Sequence, residues 1–156
     1  MNLRDVKYEV EELIHAYAEA LDEGRYEEWP EFFTESASYR IIARDNFERN
    51  LPLATIACDG KAMMKDRVLA IREACVYAPN YLRHLVSGIR VSGPQNGAYQ
   101  VQSNYVILST AYNEETKVFN AGRYLDEVVM AGGAKFRKKV VIYDTLQIPS
   151  SLVIPI

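Results

Sequence analysis

Between residues 59 and 91 the spacing of apolar positions changes once, and the rest of the chain is organised around that change. Met64, Val68, Ile71 and Cys75 recur at intervals of four, three and four, which lines one face of a helix. Asp59 is expected to cap it, since a carboxylate can accept the unpaired amides of a first turn. Pro79 lacks an amide hydrogen and biases Ala78 away from helical geometry, so closure is expected near Tyr77. From Leu82 the period becomes two. Leu82, His84 and Val86 fall on one side of a strand, and Arg83, Leu85 and Ser87 on the other. Gly88 breaks the alternation and predicts a bulge.

Upstream, Val10, Leu13, Ile14, Tyr17 and Leu21 form one stripe of a first helix over residues 5–22, and Gly24 stops it. A short second helix is expected over 26–33, where Trp29, Phe32 and Phe33 lie close enough in sequence to share a core. Residues 36–44 alternate, with Ala37, Tyr39, Ile41 and Ala43 on one face of a strand. Residues 45–50 (DNFERN) read as a polar loop, and 51–57 as an extended piece limited by Pro52.

Downstream, Asn96-Gly97 signals a hairpin. Strands follow over 98–112 (Tyr99, Val101, Tyr105 and Ile107 on one face), 117–130 and 135–146, with turns at 113–116 and Gly132-Gly133. In the last strand Phe136, Val140 and Ile142 are expected to face one way, and Lys135, Arg137 and Lys139 the other. The ending IPSSLVIPI is apolar and should dock on this chain or on a neighbour. Helices first and long antiparallel strands last argue an α+β fold, with three helices on a curved, mainly antiparallel sheet. That order resembles the cone of nuclear transport factor 2, an NTF2-like (cystatin-like) fold with a pocket between helices and sheet. With no repeat or linker, residues 1–156 read as one domain.

Composition narrows the function classes. The chain of 156 residues carries 18 Lys and Arg against 21 Asp and Glu, a net charge of −3, which offers no field for nucleic acid or acidic membranes. Cys58 and Cys75 are too few for a disulfide framework and read as thiols in a reducing compartment. The charged start MNLRDVKYEVEEL lacks the apolar core of a signal peptide, and no apolar run is long enough to span a membrane. A cytoplasmic protein is expected.

Metal ligands are scarce. A Rieske cluster needs two Cys and two His, and a mononuclear iron commonly two His and a carboxylate. This chain has only His15, His84, Cys58 and Cys75, each isolated in sequence. No phosphate loop, dinucleotide fingerprint or nucleophile elbow is present. The basic run FRKK at 136–139 reads as a solvated strand face, which Asp126 and Glu127 could offset across a hairpin. If the cone pocket were catalytic, as in isomerases resembling ketosteroid isomerase or dehydratases resembling scytalone dehydratase, the candidates to move a proton would be Tyr17, Asp22, Tyr39 and His84. The competing reading of His84 is a buried ring satisfied by a carboxylate or backbone partner, and it is the favoured one. Arg83, opposite, reads as a surface or interface charge.

Several stretches together resemble one family. These are "EALDEGRYEEWPEFFTESASYRI", "ARDNFERNLPL", "KAMMKDRVLAIREACVYAPNYLRHLVSGIRV", "VFNAGRYLDEVV" and "KKVVIYDTLQIPSSLVIPI". In this order they resemble the small (β) subunit of Rieske-type aromatic-ring-hydroxylating oxygenases. "YRIIARDNFERNLPL" and the ending look most like salicylate 5-hydroxylase small subunits, and terephthalate dioxygenase is a more distant likeness. "YAPNYLRH" departs from the tryptophan-containing, more acidic stretch of many relatives. The resemblance implies an α3β3 heterohexamer in which this chain trimerises and holds catalytic large subunits. Those would carry the Rieske [2Fe-2S] cluster and mononuclear Fe(II), fed from NAD(P)H through separate electron-transfer proteins. It also implies no catalytic, cofactor or metal residues in this chain, which would support hydroxylation of a carboxylated arene. The alternative is a stand-alone isomerase or dehydratase.

Overall fold

Helix α1 (Leu3–Asp22) forms where the stripe predicts, and every stripe residue is buried. Asn2 caps it, its Oδ1 accepting the Asp5 amide at 3.0 Å. A computed structural model provides these coordinates and describes residues 1–74, 80–145 and 154–156. After α1 come a 3-10 helix (Tyr26–Phe32), β1 (Phe33–Ala43), α2 (Arg44–Glu48), β2 (Ile56–Asp59) and α3 (Lys61–Ala74). Four long strands follow: β3 (Asn80–Gln95), β4 (Ala98–Ala111), β5 (Lys117–Val129) and β6 (Lys135–Tyr143).

The strands make one six-stranded sheet in the order β2-β1-β6-β5-β4-β3. β1 and β6 pair in parallel, and the other four pairings are antiparallel, so the sheet is mainly antiparallel as expected. Its inner face packs against α1 and α3. The core there is strongly aromatic: Trp29 meets Tyr39 edge-on at 5.1 Å, and Tyr105 stacks on Tyr124 at 4.5 Å. The expected alternations hold for β1, for the start of β3 and for β4, since Ala37, Tyr39, Ile41, Leu82, Val101, Tyr105 and Ile107 are all buried. The register of β3 on β4 shifts between Ser87 and Arg90, so Gly88 sits at the expected irregularity. Asn96 and Gly97 both take positive φ, the geometry of a two-residue hairpin turn whose twist suits the flanking strands.

Four expectations are corrected. Asp59 ends β2 rather than capping α3; its carboxylate instead accepts the Arg40 guanidinium at 2.6 Å. Residues 45–50 are not all loop, because Arg44–Glu48 makes one helical turn held by an Arg44–Glu48 ion pair at 2.9 Å. Within 51–57 only Ile56 and Ala57 join a strand. The largest correction concerns β6. Against β5, Lys138 pairs with Glu127 and Phe136 with Val128, so β6 spends one more residue than its partner there. That bulge reverses the alternation: Phe136, Val141 and Tyr143 join the core with Tyr39 and Tyr124, and Lys139 turns inward with them. Lys139 is therefore a buried residue and not part of a solvated basic face. The expected closure of α3 at Tyr77, the role of Cys75 and the start of the ending IPSSLVIPI lie outside the described residues.

Candidate functional site

The inner face of the sheet brings the four pocket candidates together as two neighbouring pairs. Asp22, at the last turn of α1, reaches the start of β3. The His84 amide donates to both its carboxylate oxygens, at 2.9 and 3.1 Å, and the His84 ring approaches through Nδ1 at 2.5 Å. With the carboxylate as acceptor, Nδ1 carries a proton and donates. The His84 side chain is fully buried, and its Nε2 has no hydrogen-bond partner among the described residues. The carboxylate partner expected for a structural histidine is thus present.

Tyr17, on the buried stripe of α1, faces Tyr39 of β1, with hydroxyls 3.4 Å apart. Between them lies Ile156. Tyr17 donates to the Ile156 carbonyl oxygen at 2.8 Å and Tyr39 donates to the same oxygen at 2.9 Å. The Ile156 amide in turn donates to the Tyr39 hydroxyl oxygen at 3.0 Å. Burial pushes both phenols well above their ordinary range, because a phenolate would be desolvated there. They act as donors, not as bases. Ile156 is completely buried, so the end of the sequence docks on this chain.

Beside these tyrosines lies a charge pair that periodicity alone did not place in the interior. Lys139 Nζ sits 3.0 Å from Asp126 Oδ2, and both side chains are fully buried. The ammonium lies 3.6 Å from the centre of the Tyr124 ring and 4.8 Å from that of Tyr17, within cation–π range. Burial raises the Asp126 carboxyl to about 6, outweighing the attraction of Lys139, and burial lowers the Lys139 ammonium. The cross-strand offset of FRKK by Asp126 and Glu127 was legible in sequence; Glu127 holds Arg137 at 2.8 Å. The burial of Lys139 was not, because it follows from the bulge. The role of Ile156 had a weaker signal, the apolar ending itself.

A surface groove lies elsewhere. A groove of about 660 Å³ on the outer sheet face is bordered by Phe47, Arg90, Gln102, Leu125 and Val140, and shares no pocket candidate. Arg83 is exposed on that outer face. Among the described residues no three His, Cys, Asp or Glu side chains converge on a metal position. His15 is exposed on α1, His84 is committed to Asp22, and Cys58 is buried in β2 with its thiol raised by desolvation. Those donors do not fit a Rieske cluster or a two-histidine iron site. No helix among the described residues is long and apolar enough to cross a membrane.

A helix-covered, mixed sheet with an aromatic interior fits the NTF2-like α+β class. The model of the ring hydroxylating beta subunit family matches residues 16–150, and the chain belongs to that family. It is 37% identical over 150 residues to the anthranilate 1,2-dioxygenase small subunit of Burkholderia cepacia, covering 96% of this chain and 93% of that one. It is 27% identical over 142 residues to a terephthalate 1,2-dioxygenase terminal oxygenase beta subunit of Comamonas, covering 90% and 92%. Its fold superposes with a TM-score of 0.88 on a structure assigned as an aromatic-ring-hydroxylating dioxygenase beta subunit from Novosphingobium aromaticivorans, at 33% identity and 98% coverage of both chains. The chain is thus a small subunit of the aromatic-ring-hydroxylating dioxygenase class of oxidoreductases, a role that implies a large-subunit partner.

Proposed function

We propose that this chain is a non-catalytic platform, one NTF2-like domain over residues 1–156 that trimerises and holds three large subunits in an α3β3 complex. The observation that carries this reading is the state of the pocket candidates. Tyr17 and Tyr39 are taken up by Ile156, and Asp22 by the amide and ring of His84. The groups that could move a proton are spent on holding the chain together. The large subunits would carry the Rieske cluster and mononuclear iron, with electrons arriving from NAD(P)H through separate proteins, in the cytoplasm.

The substrate class we propose is a carboxylated arene with an ortho donor group. The salicylate-like segments of the sequence and the anthranilate relative both name benzoates substituted in that position. Exposed apolar side chains on the far end of the sheet, Tyr81 and Leu85 of β3 and Val118 of β5, suit a subunit contact, where their burial removes apolar area from water.

Native purification through a tag on this chain, with its large subunit co-expressed, tests the reading. A red-brown complex with equal copies of both chains and a native mass of three of each is expected. A colourless monomer or homodimer retaining no large subunit would refute it. A stand-alone pocket enzyme would then be favoured, and His84→Ala should abolish its activity.

A further inference from the structure

Ile156 sits in the cone as a ligand would. Its oxygen is shared by two tyrosine hydroxyls from different elements, Tyr17 of α1 and Tyr39 of β1, and its amide returns a hydrogen bond to one of them. Pro155 and Ile156 are both buried. The surroundings are aromatic edges: Trp29 and Phe33 pack on Tyr39, and Phe136 on Tyr17. The Lys139 ammonium lies behind the Tyr17 ring. Two further polar atoms of the same interior, the Tyr124 hydroxyl and Asp126 Oδ1, are buried without a partner among the described residues. Buried polar groups are normally hydrogen-bonded, so unpartnered ones in an aromatic interior mark a place built to receive polar atoms.

We infer that the cone interior is a small-molecule site which the chain fills with its own residues 154–156, and that the external ligand it takes is a small aromatic carboxylic acid. One carboxylate oxygen replaces the Ile156 oxygen between the two phenols, and the ring replaces the Ile156 and Pro155 side chains against the aromatic edges. Two phenolic donors converging on one oxygen suit a carboxylate oxygen. In the intact chain the tail competes at an effective concentration set by its attachment, so external binding is weak. This site is independent of the assembly role, and its test needs no large subunit.

Benzoate is the probe. A chain shortened by residues 154–156 should bind it at least tenfold more tightly than the intact chain by calorimetric titration. Tyr17→Phe with Tyr39→Phe in the shortened chain should reverse that gain by about tenfold or more, the worth of one to two hydrogen bonds. Equal affinity of intact and shortened chains, both with cooperative thermal transitions, would overturn the inference, as would indifference to the two tyrosines. A second measurement uses the intact chain, so it does not depend on the shortened one folding. Hydrogen exchange of the Ile156 amide, which donates to the Tyr39 hydroxyl, should be at least several-fold faster in saturating benzoate and faster in the double Phe variant. Exchange at an unchanged rate in both would equally overturn it.

Discussion

Lys139 and Asp126 form an ion pair at 3.0 Å with neither side chain touching solvent. Each charge has left water, and what compensates is the other charge together with the faces of Tyr124, Tyr17 and Phe136. Removing one partner strands the other. Lys139→Met alone should therefore destabilise the fold by about 3–5 kcal/mol. The double change Lys139→Met with Asp126→Leu should cost far less than the two single changes summed. Urea unfolding of the four proteins measures the cycle, and additivity would show that the pair is not coupled.

The same pair sets a pH dependence. Asp126 has its carboxyl raised to about 6 in the folded chain from an ordinary 3.8. Between those values the folded state binds more protons than the unfolded one, so stability falls as pH rises. The contribution is fully present below about 3.8 and is lost through about 6. The double variant lacks this titration. Wild type should lose stability relative to it between pH 4 and 6, as read from unfolding midpoints at fixed salt.

Gly122 is required by space rather than by dihedral. A Cβ there would stand 1.9 Å from the Ile142 carbonyl oxygen and 2.9 Å from the Tyr143 Cα. The neighbouring backbone of β6 belongs to a ladder and cannot step aside without breaking it. Gly122→Ala should cost at least about 3 kcal/mol or prevent folding, the upper range for overpacking. Thermal unfolding measures it, and an unchanged midpoint would show that the β6 backbone can step aside.

Asp22 ties the end of α1 to the start of β3 through the His84 amide and ring. Asp22→Ala leaves both His84 groups without an acceptor and should cost about 2–4 kcal/mol. His84→Ala keeps the amide bond and should cost less. Hydrogen exchange at the residue 84 amide should accelerate in the first variant and not in the second. The reverse order would assign the tie to the ring alone.

Much of this arrangement was legible beforehand for a simple reason. α1, β1, β4 and the start of β3 each bury one face continuously, so burial repeats with the period of the element and shows in the sequence. Asn96-Gly97 announced its hairpin because few residue pairs accept positive φ twice in succession. Asp22 and His84 stood out as candidates by residue type, but their contact spans 62 positions and no local pattern encodes it.

By itself, then, the sequence determined the α+β class, the order of elements, the aromatic stripes that form the core and the family. These depend on local periodicity or on the whole string of residues at once. The tertiary structure alone decided that a one-residue bulge in β6 turns Lys139 into the core, that β6 runs parallel to β1, and that Ile156 lies between Tyr17 and Tyr39. The physical reason is common to all three. Each depends on where a strand or segment sits beside a distant one, and a shift of one residue in that register exchanges inside for outside.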